Sequence, residues 1–365
     1  MIERSPARRR RPLQGHAWSP AGCRRALTPK GLQALRPGQA LRFVRSRRPL
    51  ARTALVFAVV VALVVVATAT VYGWPLRSAE LQRAEAEVLD FESARQRATQ
   101  IIAAETADTE VDPGCRSQLL THDTRSAKAV LLLHGYTGCP GPFSDLAKLY
   151  FDQGYNVWVP RAPRHGLNDR TAHAALRADE LTEYANAALN LTAGLGDEVG
   201  VVGLSGGGML ATWLTGHRPD VVSRTLVLSP FYKPNAVQAP GFAIKPLIVL
   251  YGFGILPDRT NSNGFSYAAL SQYLRLVRNF NADPKNPNLR EIAVVTSAND
   301  DLIDHQEALG IPRAIADRNG ITLSTYELPR DFGIGHDIVS PKALLGRTDE
   351  LNRLYLDLYE GTARP

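Results

Sequence analysis

The chain has 365 residues, 45% of them hydrophobic and 21% charged, a composition typical of a folded protein with one large domain or two small ones. Its net charge of +7 comes from residues 1–52, which hold 14 basic residues and one acid, Glu3. The rest of the chain is net negative, which argues against a nucleic-acid-binding domain. Residues 1–52 are also rich in Arg and Pro and lack periodicity, so we predict a basic, disordered tail.

Residues 53–73 contain no charged side chain. At about 1.5 Å per residue, a helix of this length spans the roughly 30 Å hydrocarbon core of a bilayer. A cleaved signal peptide is the alternative, because Ala67-Thr68-Ala69 resembles a cleavage site, but the long apolar core and long leader favour an uncleaved signal-anchor. Arginines precede the span, so the N-terminus is expected in the cytoplasm and the chain after residue 73 outside it, in the periplasm or the extracellular space.

Residues 74–111 are rich in Ala, Glu, Arg and Gln, which predicts a helical stalk. Asp112-Pro113-Gly114 then marks the start of a domain over residues 112–365. Short apolar runs predict strands at residues 129–134, 155–160, 199–204, 225–228, 292–296 and 321–327. Helices are predicted at residues 144–153, 177–194, 206–215 and 341–360. This alternation is typical of a parallel sheet covered on both faces. Residues 231–287 interrupt the pattern and indicate an inserted cap.

Ser205 lies in a G-x-S-x-G motif formed by residues 203–207. The five-residue pattern is weak by itself, but a predicted strand precedes it and a predicted helix follows it, as a nucleophile elbow requires. The helix N-terminus beside the serine would favour a developing negative charge. A glycine-rich, phosphate-binding turn is the alternative, although the segment has neither a lysine nor a G-x-G-x-x-G pattern.

A serine nucleophile needs a histidine base and an acid that orients it. His336 lies in a loop after the last predicted strand, where such a base belongs. Asp300, Asp301 and Asp304 follow the strand at residues 292–296 and compete for the role of the acid. The distance of Asp300 from the strand end favours it; Asp301 is second, and Asp304 is interpreted as a helix cap. His305 is interpreted as a solvated residue at a helix start.

Hydrolysis of an acyl group also requires backbone N–H groups that stabilise the oxyanion. Gly206 directly follows the nucleophile and supplies one of them. The loop that begins at His134 ends the first strong strand, and Tyr136 N–H is the natural second donor. His134 itself is interpreted as a structural residue that braces this loop.

These motifs, in this order, resemble the α/β-hydrolase superfamily, and within it lipases, carboxylesterases and serine-aminopeptidase-like hydrolases with monoacylglycerol-lipase character. The resemblance covers about residues 115–360 and implies an eight-stranded, mostly parallel sheet with helices on both faces and a cap inserted after the strand that ends near Ser229. It also favours Asp300 as the acid, because such enzymes place the acid three residues before an apolar position such as Ile303. Arg164 stands where the superfamily often has the first glycine of G-H-G.

Cys115 and Cys139 both lie in the part of the chain that we expect outside the cytoplasm, where a disulfide is permitted. Two buried free thiols are the alternative. If the two residues are bridged, the bond would pin the oxyanion loop.

We therefore predict a membrane-anchored serine hydrolase that cleaves carboxylic esters through an acyl-enzyme on Ser205. No metal or organic cofactor is implied, because the cysteines and histidines have no ligand spacing. The apolar cap sequence of residues 240–257 suggests an acyl pocket or a contact with the bilayer, and hence a lipid or medium-chain ester; a cap helix that only packs on the core is an equal alternative. The substrate-binding residues stay unassigned. A peptidase or amidase of the same fold, and a non-catalytic membrane-tethered binding protein, are the alternatives. Dehalogenases and epoxide hydrolases would need Asp at position 205.

Overall fold

The computed structural model describes residues 48–261 and 264–363, so most of the predicted basic tail lies outside the described residues. The α-helices are α1 (Arg48–Gly73), α2 (Phe91–Ala107), α3 (Ser144–Asp152), α4 (Ala178–Leu195), α5 (Gly206–His217), α6 (Gly241–Leu247), α7 (Tyr267–Val277), α8 (His305–Asn319) and α9 (Thr348–Glu360). The strands are β1 (Gln118–Leu120), β2 (Ser126–Leu133), β3 (Tyr155–Val159), β4 (Gly196–Leu204), β5 (Val222–Leu228), β6 (Glu291–Ser297) and β7 (Leu323–Leu328).

Helix α1 contains the segment Ala51–Gly73, which is long and apolar enough to cross a membrane. Its mean hydropathy is 2.9, and none of its most apolar window is buried against the protein. Among the described residues it is the one helix with this length and composition. A signal sequence has the same properties, so length and hydropathy alone do not separate an anchor from a cleaved leader.

The sheet of the described chain has seven strands in the order β1-β3-β2-β4-β5-β6-β7, one fewer than the eight that the family resemblance implied. β1 pairs antiparallel with β3, and the other neighbouring strands pair in parallel. The prediction of a mostly parallel α/β sheet is confirmed. From β2 the chain adds β3 on one side and β4 on the other, so the carboxyl ends of β2 and β4 open a crevice where ligands bind in such sheets.

Apolar cores cover both faces of the sheet, as the continuous apolar strands require. Helices α4 and α5 pack on one face, where Trp158 and Trp213 are almost fully buried. Helices α3 and α9 pack on the other, around Tyr150 and Tyr359. β4 lies at the centre, between β2 and β5, which holds its carboxyl end rigidly in place.

Residues 74–111, predicted as a helical stalk, contain a 3₁₀ turn at Glu80–Gln82 and the α-helix α2, which packs against α4. Ala94 and Ala98 are completely buried there. Buried Glu105 accepts a hydrogen bond from Ser117 N at 2.6 Å and pairs with Arg161 at 3.1 Å. The segment therefore lies on the surface of the domain that contains the sheet.

The predicted insertion at residues 231–287 falls between β5 and β6. It contains α6, a π-helical turn at Ile248–Gly252 and α7. Pro246 lies inside α6, and the helix passes directly into the π turn. This insertion is called the cap below.

Candidate active site

Ser205 forms the sharp turn between β4 and α5, with φ 54° and ψ −113°. A non-glycine residue in this region is strained, and such strain persists only where the surroundings hold it. Here Ser205 N donates to Leu228 O at 2.8 Å, and Ser205 O accepts from Phe231 N at 3.0 Å. The neighbouring strand and the start of the cap thus fix the turn.

The glycines around Ser205 permit a close approach between backbones. A Cβ atom at Gly207 would lie 2.1 Å from Leu133 O, and one at Gly203 would lie 2.2 Å from Gly207 O. Both distances are far below any real Cβ contact. Glycine is therefore required at both positions for helix α5 to begin directly against the ends of β2 and β4.

His336 joins Ser205 to Asp300. Its Nε2 lies 2.7 Å from Ser205 Oγ, and its Nδ1 lies 2.7 Å from Asp300 Oδ2. With a proton on Nδ1, the imidazole donates to the carboxylate and accepts from the serine hydroxyl. The three residues come from the loops after β4, β6 and β7, whose carboxyl ends share one edge of the sheet.

The three candidate aspartates occupy different environments. The side chain of Asp300 is completely buried and accepts a hydrogen bond from Leu302 N at 3.0 Å. Burial would raise the pKa of Asp300, but hydrogen bonding and charge interaction with His336 outweigh it and hold that pKa below its usual value. Asp301 is exposed, and Asp304 is the N-cap of α8. Only Asp300 among them hydrogen-bonds to His336.

His305 supports the loop that carries Asp300. Its Nε2 lies 2.8 Å from Asp300 O, and its ring is partly buried. His305 is the first residue of α8, as the sequence predicted, but only 33% of its side chain is exposed. The position of His305 at the first turn of a helix, five residues after the acid, gave no signal for this contact, because the loop must fold back for it to form.

Tyr136 and Gly206 lie next to each other beside Ser205. A Cβ atom at Gly206 would be 3.2 Å from Tyr136 N, so the two backbones adjoin. Gly206 is the first residue of α5, and the N–H groups of a first helical turn have no intrahelical acceptor. Thr137, the next residue of the loop, has φ 62°. The Tyr136 hydroxyl accepts from Ser266 N of the cap at 3.2 Å.

His134 braces the same loop. Its Nε2 accepts from Ala162 N at 2.9 Å, and its Nδ1 lies 2.9 Å from Gly135 O. Burial lowers the pKa of His134 to about 3, so the ring is neutral and can serve as both donor and acceptor. This geometry agrees with a structural role.

Cys115 and Cys139 form a disulfide bond, with their Cα atoms 5.1 Å apart. The bond joins the turn before β1 to the loop that carries Tyr136.

Arg164 lies near this region with φ 61°, a backbone conformation that a glycine would adopt without strain. Its guanidinium pairs with Glu180 at 2.7 Å, which ties the strained turn to the first turn of α4.

A cavity of about 400 Å³ opens above Ser205 and His336. This volume lies within the range of small-molecule sites. Cap residues form much of its apolar wall, namely Leu247, Phe265, Leu270 and Leu274. No group of three or more His, Cys, Asp and Glu side chains within the described ranges is placed to hold a metal ion.

The family model of the alpha/beta hydrolase fold matches residues 128–249. The chain is 27% identical over 195 residues to the thermostable monoacylglycerol lipase of Bacillus sp. (strain H-257), an alignment of 52% of this chain and 64% of that protein. The chain thus spans less than two thirds of the curated relative that it matches. A solved structure of Paleococcus ferrophilus monoacylglycerol lipase superposes with a TM-score of 0.51 at 15% identity, covering 68% of this chain and 98% of that one.

The strand order, the strained serine between β4 and α5 and the match of the family model to residues 128–249 together show that the chain has the α/β-hydrolase fold. Over 195 residues the chain is similar to a monoacylglycerol lipase. The resemblance stated from the sequence motifs is confirmed.

Proposed function

We propose that the protein is a membrane-anchored serine hydrolase that cleaves carboxylic esters of lipid or medium-chain acyl groups. The observation that carries the proposal is the unbroken hydrogen-bonded chain from Ser205 Oγ through His336 to Asp300. It lies under a largely apolar cavity, as an ester hydrolase with an acyl substrate requires. The similarity to a monoacylglycerol lipase supports the substrate class.

In the proposed reaction, His336 takes the proton of Ser205 as Oγ attacks the ester carbonyl carbon. Asp300 keeps the imidazole oriented and stabilises its cation, which its lowered pKa favours because the carboxylate stays ionised. The N–H groups of Tyr136 and Gly206 stabilise the oxyanion. His336 then protonates the leaving alcohol, and a water molecule, deprotonated by His336, releases the acid from the acyl-enzyme.

Labelling with a fluorophosphonate probe tests the nucleophile. We expect the wild-type protein to be labelled and Ser205→Ala to remain unlabelled while keeping its melting temperature. If neither wild-type labelling nor hydrolysis of any ester is detected, the catalytic proposal fails, and a membrane-tethered binding protein becomes the better interpretation.

A substrate series then distinguishes esterase from peptidase. We expect p-nitrophenyl esters to be cleaved, with kcat/KM rising as the acyl chain lengthens from two to about eight carbons, because each buried CH₂ group contributes about 0.8 kcal/mol. Aminoacyl p-nitroanilides should be cleaved much more slowly. Faster cleavage of the anilides would assign the protein to the peptidases of this fold.

We further propose that α1 stays attached and holds the hydrolase domain outside the cytoplasm. The apolar span of 23 residues and the arginines before it support this orientation. A membrane-impermeant maleimide tests it in intact cells: Cys23 should be protected until lysis, whereas Val88→Cys in a Cys23→Ser background should be labelled at once. Recovery of a mature chain that begins near residue 70 would instead indicate a cleaved signal peptide.

A further inference from the structure

The end of the proposed anchor is bound to the cap. Tyr72 donates its hydroxyl proton to Phe242 O at 2.7 Å, and Lys245 Nζ donates to Tyr72 O. Two residues further on, the ring of Trp74 contacts Phe253 edge to face, with centroids 5.8 Å apart. Residues 241–256, called the cap segment here, are thus tied to the anchor end both at the start of α6 and just after the π turn.

The chain beyond Trp74 is also held firmly. Asn279 is fully buried; its amide nitrogen donates to Leu76 O at 2.9 Å, and its amide oxygen accepts from Ser78 N at 2.7 Å. Further along, Trp213 Nε1 donates to Leu81 O at 2.9 Å. These hydrogen bonds hold residues 76–81, which follow the end of α1, against the domain. The cap segment therefore keeps a fixed position relative to the end of α1.

Apolar side chains of the cap segment are exposed beside this junction. Phe242 is 73% exposed, Ile255 52% and Leu256 41%. In a membrane-spanning helix, terminal Tyr and Trp residues lie at the level of the lipid headgroups. Tyr72 contacts Phe242 and Trp74 contacts Phe253, so a membrane-spanning α1 would bring these two residues of the cap segment close to that level.

We propose that the cap segment contacts the outer leaflet of the same bilayer in which α1 is anchored. Large exposed apolar side chains that are surrounded by polar surface mark sites of membrane or protein contact. A membrane interface can bury these side chains without a protein partner. The anchor thus positions the cap as well as retaining the enzyme. The contact with the leaflet rests on the proposed membrane anchoring. Its consequence for the substrate, given next, rests on the proposed ester hydrolysis.

The consequence concerns the path of the substrate. Leu247 belongs to the cap segment and lines the cavity above Ser205. Leu76 packs in one apolar cluster with Ile248 and Leu274, and Leu274 also lines that cavity. Contiguous apolar packing therefore joins the anchor end to the wall of the cavity, so the cavity lies on the side of the domain that would face the leaflet.

Lipid contact can be tested without any measurement of activity. Full-length protein with Cys23→Ser and a single added cysteine, Phe242→Cys or Ile255→Cys, is labelled with the fluorophore NBD and reconstituted in phosphatidylcholine vesicles. Val88→Cys is the matched control: Val88 is 97% exposed, but Leu89 beside it adjoins Gly194 at the end of α4, the edge of the sheet opposite the cap.

Doxyl-labelled phosphatidylcholine should quench the labels at positions 242 and 255 at least about threefold more than the label at position 88, as expected for side chains at the acyl boundary. Equal quenching at the three positions, or none, would overturn the proposal. This outcome does not depend on whether the protein hydrolyses esters.

Activity provides the second test. The triple variant Phe242→Ser, Ile255→Ser, Leu256→Ser should lose about tenfold in rate on a monoacylglycerol carried in phosphatidylcholine vesicles, from lost apolar contact with the leaflet. Its rate on a water-soluble short-chain ester should match wild type, and Val88→Ser should leave both rates unchanged. Equal loss on both substrates, or no loss on either, contradicts the proposal. If wild type hydrolyses neither ester, the proposed function fails, and the quenching result is judged separately.

Discussion

His305 Nε2 lies 2.8 Å from the backbone carbonyl oxygen of Asp300. The proposed acid is therefore held on two sides, because its side chain also accepts from Leu302 N at 3.0 Å. His305 touches neither Ser205 nor the cavity, so any influence on the reaction acts through the position of Asp300.

Replacement of His305 by Ala should lower kcat about tenfold and leave KM unchanged, as expected from the loss of about one hydrogen bond in the alignment of the triad. His305→Gln keeps a donor and should restore most of the rate. Steady-state kinetics on a p-nitrophenyl ester provide the measurement. A rise in KM with unchanged kcat would show that His305 does not position the acid.

The choice between the two adjacent acids can be decided by kinetics. Asp300→Asn should reduce kcat by about 10³- to 10⁴-fold, the effect of replacing the orienting carboxylate of a serine hydrolase by an amide. The exposed Asp301 is the matched control, and Asp301→Asn should retain wild-type kcat. If Asp301→Asn causes the larger loss, the assignment of the acid is wrong.

The glycines of the elbow differ in what an added methyl group would meet. Gly207→Ala should lower the free energy of unfolding by about 3 kcal/mol or more, because the Cβ would overlap the Leu133 carbonyl oxygen. Gly310 lies within α8 with open space around it, so Gly310→Ala should raise that free energy by about 0.5 to 1 kcal/mol. Urea unfolding in detergent micelles measures both. Equal effects would contradict the packing at the elbow.

The bond between Cys115 and Cys139 joins residues that are 24 positions apart in the sequence. Replacement of both cysteines by Ser should lower the free energy of unfolding by about 3 kcal/mol, mainly because the unfolded chain gains entropy. Cys23→Ser serves as the control and should have no effect. A double variant as stable as wild type would indicate that the loop is held by other contacts.

Stability should fall between pH 7 and pH 5. Burial lowers the pKa of His134 to about 3 and that of His165 to about 4. The unfolded chain protonates both near pH 6.5 and so binds more protons than the folded chain throughout this interval, which costs about 2 kcal/mol per histidine. Asp300 does not contribute here: its pKa is lowered, so its stabilisation is lost only below its usual value of 3.8.

Urea unfolding at pH 7 and pH 5 measures this loss. His134→Gln removes one buried titrating group and should reduce the difference between the two pH values by about 2 kcal/mol. An unfolding free energy that is equal at pH 7 and pH 5 in the wild-type protein would show that neither histidine is held neutral in the folded state.

Local sequence was sufficient to predict most of the sheet and the order of the motifs. Runs of four to seven residues marked β2 to β7, and the glycines around Ser205 indicated a tight turn between a strand and a helix. These features are encoded within a few neighbouring residues, by side-chain hydrophobicity and by the backbone freedom of glycine. The three-residue β1 carries no such signal, and its pairing with β3 was not predicted.

Tertiary structure decided what depends on distance between remote residues. Asp300 and Asp301 are chemically equivalent neighbours, and only the loop geometry after β6 turns one of them toward His336. The contact of His305 with Asp300, the packing of α2 on α4 and the attachment of the cap segment to Tyr72 are of the same kind. Each of these contacts joins residues that are far apart in the sequence. The distance between them depends on sheet register and side-chain packing, and the periodicity of the sequence carries no information about either.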